Sequence, residues 1–135
     1  MSLEKMYKEY CLHDCAIDKI NIEENGLILY SKGGIYRCKN DNKDYKRIEN
    51  CKIHIKIDYF SKEVSYEHIS IYAFKKNNRK EISVKKLCKM VDSYGLNIYL
   101  VFYSLFANSL LIKGYCNKYE IELLISEIND ILLVY

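Results

Sequence analysis

Apolar residues recur at every second position through most of this chain and at helical spacing in one clear stretch. Over 51–58, Ile53, Ile55 and Ile57 alternate with Lys52, His54, Lys56 and Asp58. Successive strand side chains point to opposite faces, so this run predicts a strand with one buried and one wet side. The stretch 16–23 alternates through Ile20 and Ile22, and 27–31 supplies a return strand. Asn25-Gly26 between them suits the positive φ angles of a type I′ hairpin turn. Gly33-Gly34 gives a second turn before a third short strand over 35–38, so the chain is expected to open as a meander. The polar start carries no element in this reading, and Ser2 and Leu3 have no structural role in it. The stretch 39–50 is polar and aperiodic and reads as a surface loop.

Further along, 68–74 is β-branched and aromatic on both faces, as befits a more central strand. The runs 97–106 and 110–116 form a hairpin around Ala107-Asn108-Ser109, expected at the sheet centre. Val84, Leu87, Cys88 and Val91 make one apolar stripe between Ser83, a good N-cap, and Gly95, a good terminator, which predicts a helix over 84–94. The end of the chain fits two periods. Ile121, Leu123 and Ile125 alternate as in a strand, whereas Ile121, Leu124, Ile125, Ile128 and Leu132 also suit a helix, with Asn117 and Glu120 resembling a capping box. The strand reading is preferred, as 119–126 and 131–135 around a turn at Asn129-Asp130. The fold class expected is α+β, predominantly antiparallel β, with about seven to nine strands in meanders and hairpins and one short helix.

The 135 residues suit one domain, 1–135, and half of them are hydrophobic with 29% charged, the balance of a chain that folds on its own. Glu4, Lys5, Lys8 and Glu9 interrupt the start, so no secretory signal is visible and the cytoplasm is the expected compartment. The most apolar stretch, 96–112, is broken by Asn97, Ser104, Asn108 and Ser109 and falls short of the roughly 20 apolar residues of a membrane helix. Reduced thiols are therefore expected for Cys11, Cys15, Cys38, Cys51, Cys88 and Cys116.

Phosphate-binding glycine loops, the zinc-protease His-Glu-x-x-His helix, nucleophile elbows and paired Cys-x-x-Cys knuckles are absent from the sequence, and nothing in it calls for a cofactor. Its densest reactive cluster is Cys11-Leu12-His13-Asp14-Cys15. An extended backbone places Cys11, His13 and Cys15 on one face, yet Cys-x-His-x-Cys is not a common zinc spacing and no second ligand pair is visible. Buried structural cysteines beside a hydrogen-bonded histidine are the simpler reading. Cys15 as a nucleophile requires an imidazole, with His54 and His68 as the candidates from the sheet, and a lowered thiol pKa. Asp14 suits a turn or cap acceptor.

Charge is segregated. Lys75, Lys76, Arg79, Lys80, Lys85, Lys86 and Lys89 fall between 75 and 89, while Glu120, Glu122, Glu127 and Asp130 make the end acidic. A net charge of +3 is modest beside that of a dedicated nucleic-acid binder, so the lysine face suits solvent or an acidic protein better than nucleic acid. The 14 tyrosines fit protein recognition, because a tyrosine ring covers much area at little entropic cost. His13, Asp14, Lys85, Lys86 and Lys89 are the binding residues this reading singles out.

The succession Leu12-His13-Asp14-Cys15, a strand to Ile22, Asn25-Gly26, Leu27-Ile28-Leu29 and a glycine-bearing turn resembles an uncharacterised group of small bacterial β-rich proteins. These open with a His-Asp-Ser or His-Asp-Cys element, and some look like immunity proteins of toxin systems. Ile82-Ser83-Val84-Lys85-Lys86-Leu87 and Ile112-Lys113-Gly114-Tyr115 extend the likeness over nearly the whole chain. Cys11 has no counterpart in that pattern, which weakens the three-ligand idea. The resemblance implies a sheet-based fold with one short helix and no known catalytic residue. Together these readings point to a non-catalytic binding protein, immunity-like, that occludes a partner protein. The alternatives are a small Cys/His-dependent hydrolase or transferase and a weak nucleic-acid binder using the basic helix face.

Overall fold

The computed structural model describes residues 1–38 and 45–135. The period-two runs become strands, more and shorter than the alternation alone implies: thirteen among the described residues, every pair antiparallel. The chain runs through helix α1 (Leu3–Glu9), β1 (Tyr10–Cys11), β2 (Ala16–Ile17), β3 (Lys19–Glu23), β4 (Gly26–Ser31) and β5 (Ile35–Cys38). It continues with β6 (Tyr45–Ile48), β7 (Cys51–Ile57), a 3-10 segment (Lys62–Glu67), β8 (Ile69–Lys75) and β9 (Asn78–Glu81). Helix α2 (Val84–Tyr94), β10 (Leu96–Ser104), β11 (Ser109–Cys116), β12 (Tyr119–Ile125) and β13 (Ile128–Val134) complete it. A six-stranded sheet has the order β2-β10-β11-β12-β8-β9, a four-stranded sheet β13-β7-β4-β3, and a small sheet β1-β5-β6. The molecule is thus β-rich α+β, as the sequence predicts.

The alternation of β7 is realised side chain by side chain, with Cys51, Ile53, Ile55 and Ile57 buried and Lys52 and Lys56 exposed. Leu27 and Leu29 of β4 sit opposite Ile55 and Ile53, and Ile131 of β13 sits opposite Ile55 from the other side. In the larger sheet Ile71, Leu123 and Ile112 lie in register across three strands, as do Ala73, Ile121 and Gly114. The buried faces of both sheets join one hydrophobic core. Helix α2 contributes Val84, Leu87 and Val91 to it and touches β3 of one sheet and β8 and β11 of the other, so it bridges the two. Ser83 caps it by accepting from the Lys86 N–H at 3.1 Å, and Gly95, at φ 73°, ends it with its N–H on the Val91 carbonyl at 2.7 Å.

Several expectations change. The start is helical: Ser2 Oγ accepts from the Lys5 N–H, Leu3 and Met6 are buried, and the Met1 ammonium pairs with Asp130 at 2.7 Å. A single i, i+3 apolar pair is too short a stretch to reveal that period. The strand expected over 16–23 is broken at Asp18, where the chain leaves one sheet for the other; the Asp18 carboxylate accepts from the Lys32 N–H at 2.7 Å and holds the crossing. The hairpin loop is Glu24-Asn25, with Glu23 facing Gly26, so the expected Asn25-Gly26 turn shifts by one residue. Positive φ falls on Gly26 and on neither loop residue. The meander ends after β4, because β5 turns away to pair with β1 and β6.

Residues 39–44 of the expected loop lie outside the described residues, and its later part is a strand, β6. β9 is wholly exposed and polar and therefore carries no apolar alternation to find. The middle of the larger sheet is β11 and β12, while β10 has only the two-residue β2 beyond it. The two C-terminal strands exist, but their break is at Ser126-Glu127, with Glu127 at φ 55°, and they enter different sheets. Asn129-Asp130, expected to turn, instead make an irregularity in the β13–β7 register.

Candidate interaction surface

His13 and Asp14 form the turn between β1 and β2. Asp14 has φ 64°, its N–H donates to the Ile98 carbonyl at 2.9 Å, and its carboxylate lies 2.9 Å from His13 Nδ1, with both side chains exposed. Asp14 is thus a turn residue, as its type suggests. Cys15, by contrast, is buried and directs its sulfur at the carbonyls of Cys11 and His13. Burial pushes its thiol up to about 11, the opposite of what a nucleophile needs. His54 stands on β7 opposite Ile28 and Leu132, and His68 is buried with Nδ1 3.6 Å from the Glu127 carboxylate. Neither imidazole is hydrogen-bonded to Cys15, so the geometry supplies no base for the Cys/His hydrolase alternative. Among the described residues no group of three or more His, Cys, Asp or Glu side chains is placed to hold a metal ion.

The thiols carry a stability prediction. Burial raises Cys15 and Cys51 from 9.0 to about 11, so on raising the pH the unfolded chain releases these protons before the folded one does. Their contribution is intact below pH 9 and is lost as the pH climbs through about 11. Tyr99, held up to about 12 chiefly by its hydrogen bond to Glu120, acts in the same direction. The urea midpoint is therefore expected to fall steadily above pH 9, and a midpoint flat to pH 11 would contradict the burial of these groups.

The lysines of α2 do not act as one group. Lys86 turns toward the β8–β9 hairpin, whereas Lys85 lies over a depression it shares with Ser65 and Asp92, and Lys89 lines neither. His13 and Asp14 line neither of these places, so the five residues do not assemble into a single site.

A different surface emerges from the sheet register. On the outer face of the six-stranded sheet, Phe102 lies opposite Leu111, Leu111 opposite Leu124, and Leu124 opposite Ser70. Opposed side chains on neighbouring strands approach to about 5 Å, so these three apolar groups form one continuous row. Phe102 is 54% exposed and Leu124 38%. The β10–β11 loop, which begins three residues after Phe102, carries the exposed Leu105 and the fully exposed Phe106.

The next rows are polar but internally paired. Lys113 bridges Glu122 at 3.2 Å, and the Tyr99 hydroxyl donates to Glu120 while its ring stacks on Tyr115 at 5.0 Å. At the far margin Arg79 lies 3.8 Å from the centre of the Tyr72 ring. Such charges are already satisfied within the face, which leaves the Phe102 row as the part that gains most from being covered. The signal was present in the sequence: Leu110-Leu111-Ile112 and Leu123-Leu124-Ile125 each place one apolar residue on the face opposite the core.

No protein-family model, curated protein or solved structure matches this chain. No helix among the described residues is long and apolar enough to cross a membrane.

Proposed function

We propose that this chain is a non-catalytic, immunity-like binding protein that occludes a partner protein with the outer face of its six-stranded sheet. The observation that carries the reading is the exposed cross-strand row of Phe102, Leu111 and Leu124. A contiguous apolar patch of this kind costs solubility in a free domain and is retained where a partner covers it. Toward the other end of the sheet, past the Glu120, Phe74 and Arg79 row, the hairpin 75–80 carries Lys75, Lys76, Arg79 and Lys80 and no acid. The partner that fits is therefore a protein with an apolar centre and, where it reaches the hairpin end of the sheet, carboxylates toward Lys76. The buried, base-less Cys15 supports binding over catalysis.

The test uses the tagged chain, wild type and Phe102→Asp, in an extract of the cells that make it. The expected result is a single acidic protein recovered in stoichiometric amount by the wild type, measured by mass of the intact complex, and lost with Phe102→Asp. Sedimentation showing a homodimer that Phe102→Asp dissolves, with no heteromeric complex, would instead make the face a contact between copies and overturn the reading.

A further inference from the structure

The core between α2 and the six-stranded sheet does not close at its β8–β9 end. On the sheet side the inward-facing positions run from Ile71 and Ala73 to Lys75, with Lys80 opposite Ala73 and Asn78 opposite Lys75. On the helix side Lys86, Met90 and Tyr94 follow at i, i+4 and i+8 along one face. Positions that would continue the apolar core are thus lysines, and the small Ala73 side chain leaves the floor low. The result is a cleft of about 360 Å3, floored by Ala73, Ile82 and Met90 and walled by Lys75, Lys80, Lys86, Tyr94 and Tyr119, with Asn78 and Asn117 at its edge.

Three features define what the cleft takes. Its walls carry three ammonium groups and no carboxylate, and none of the three lysines forms an ion pair among the described residues. Three lysines lining one cleft with no carboxylate among them favour a multiply charged anion. Two aromatic rings and a methionine offer faces to a planar apolar group, and Lys75 already lies 5.5 Å from the centre of the Tyr119 ring. The two amides at the edge can each donate and accept a hydrogen bond, as the rim of a heterocyclic base requires. A volume of this size lies within the range of small-molecule sites.

We infer that this cleft binds a nucleoside di- or triphosphate, the phosphates held by Lys75, Lys80 and Lys86 and the base laid against Tyr94 and Met90. This site lies on the core-facing side of the sheet and is independent of the outer-face reading, so either can fail without the other.

Titration calorimetry of the full chain with ADP, pyrophosphate and adenosine tests it. ADP is expected to bind with one-to-one stoichiometry, pyrophosphate more weakly, and adenosine not measurably. Lys80→Gln and Lys86→Gln each weaken ADP by about tenfold or more, the usual effect of losing a charge-assisted contact. Lys89→Gln, on the same helix but outside the cleft, leaves ADP within about twofold. Tyr94→Ser weakens ADP while sparing pyrophosphate. All of these positions except Tyr94 are lysines on the surface, and unchanged melting of each variant shows that folding is not the cause. Absence of ADP binding at millimolar concentration overturns the inference. So does an equal loss from Lys89→Gln, which would mean diffuse charge, or far tighter binding of a single-stranded RNA with a steep salt dependence.

Discussion

Gly26→Ala is expected to leave the chain largely unfolded. Gly26 has φ 152°, and a Cβ built on it meets the Ile55 carbonyl oxygen at 1.9 Å and the carbonyl carbon at 3.1 Å. The obstacle is backbone and cannot rotate away. It is also held in place, since β4 pairs with β7 from Gly26↔Lys56 to Ser31↔Cys51 and the Ile57 N–H donates to the Asn25 carbonyl at 2.8 Å. Relief requires parting two strands in the middle of the four-stranded sheet. The cost is on the order of 4 kcal/mol or more, a large part of the stability of a domain this size. Urea denaturation followed by circular dichroism reads it directly; a midpoint equal to wild type would mean that the β3–β4 hairpin sits on β7 differently.

Leu87→Ala is expected to cost about 3 kcal/mol. Leu87 is completely buried, at the centre of the stripe by which α2 bridges the two sheets. Leu87 belongs to the core that α2 shares with both sheets, and truncating it leaves a cavity there. Lys85→Ala, two residues earlier on the exposed face, is expected to change stability by less than about 0.5 kcal/mol. Equal losses from the two would show that α2 is not seated by this stripe.

What could be read in the sequence was local. Helix α2 carries its cap, stripe and terminator within thirteen consecutive residues, 83–95, and it forms where they place it. The alternation of β7 likewise specifies its own buried face. Partnership between strands was not legible, because alternation names a face and not a neighbour. Nothing in 16–23 says that Ala16 and Ile17 pair with β10 while Lys19 begins a strand against β4; that switch rests on Asp18 reaching the Lys32 amide. β9 was invisible because an exposed edge strand has no apolar side to alternate. The same limit applies to function. Phe102, Leu111 and Leu124 are separated in sequence and become a row only through register, and Lys86 joins Lys75 and Lys80 only where α2 crosses the open end of the core. Residues that were conspicuous as neighbours, Cys11, His13 and Cys15, are divided by burial.

The central claim is that the outer face of the six-stranded sheet, and not apolar exposure in general, is the partner's contact. Leu132 supplies the comparison: it is 47% exposed on β13, opposite His54 of the four-stranded sheet. The decisive measurement is the affinity of the isolated partner for wild type, Phe102→Asp and Leu132→Asp. A charge set into the centre of an apolar contact typically costs a hot spot's worth of binding, so Phe102→Asp is expected to weaken the complex by about 100-fold. Leu132→Asp is expected to leave it within about threefold. The reverse order, or equal effects from the two, would place the partner elsewhere on the molecule and contradict the account.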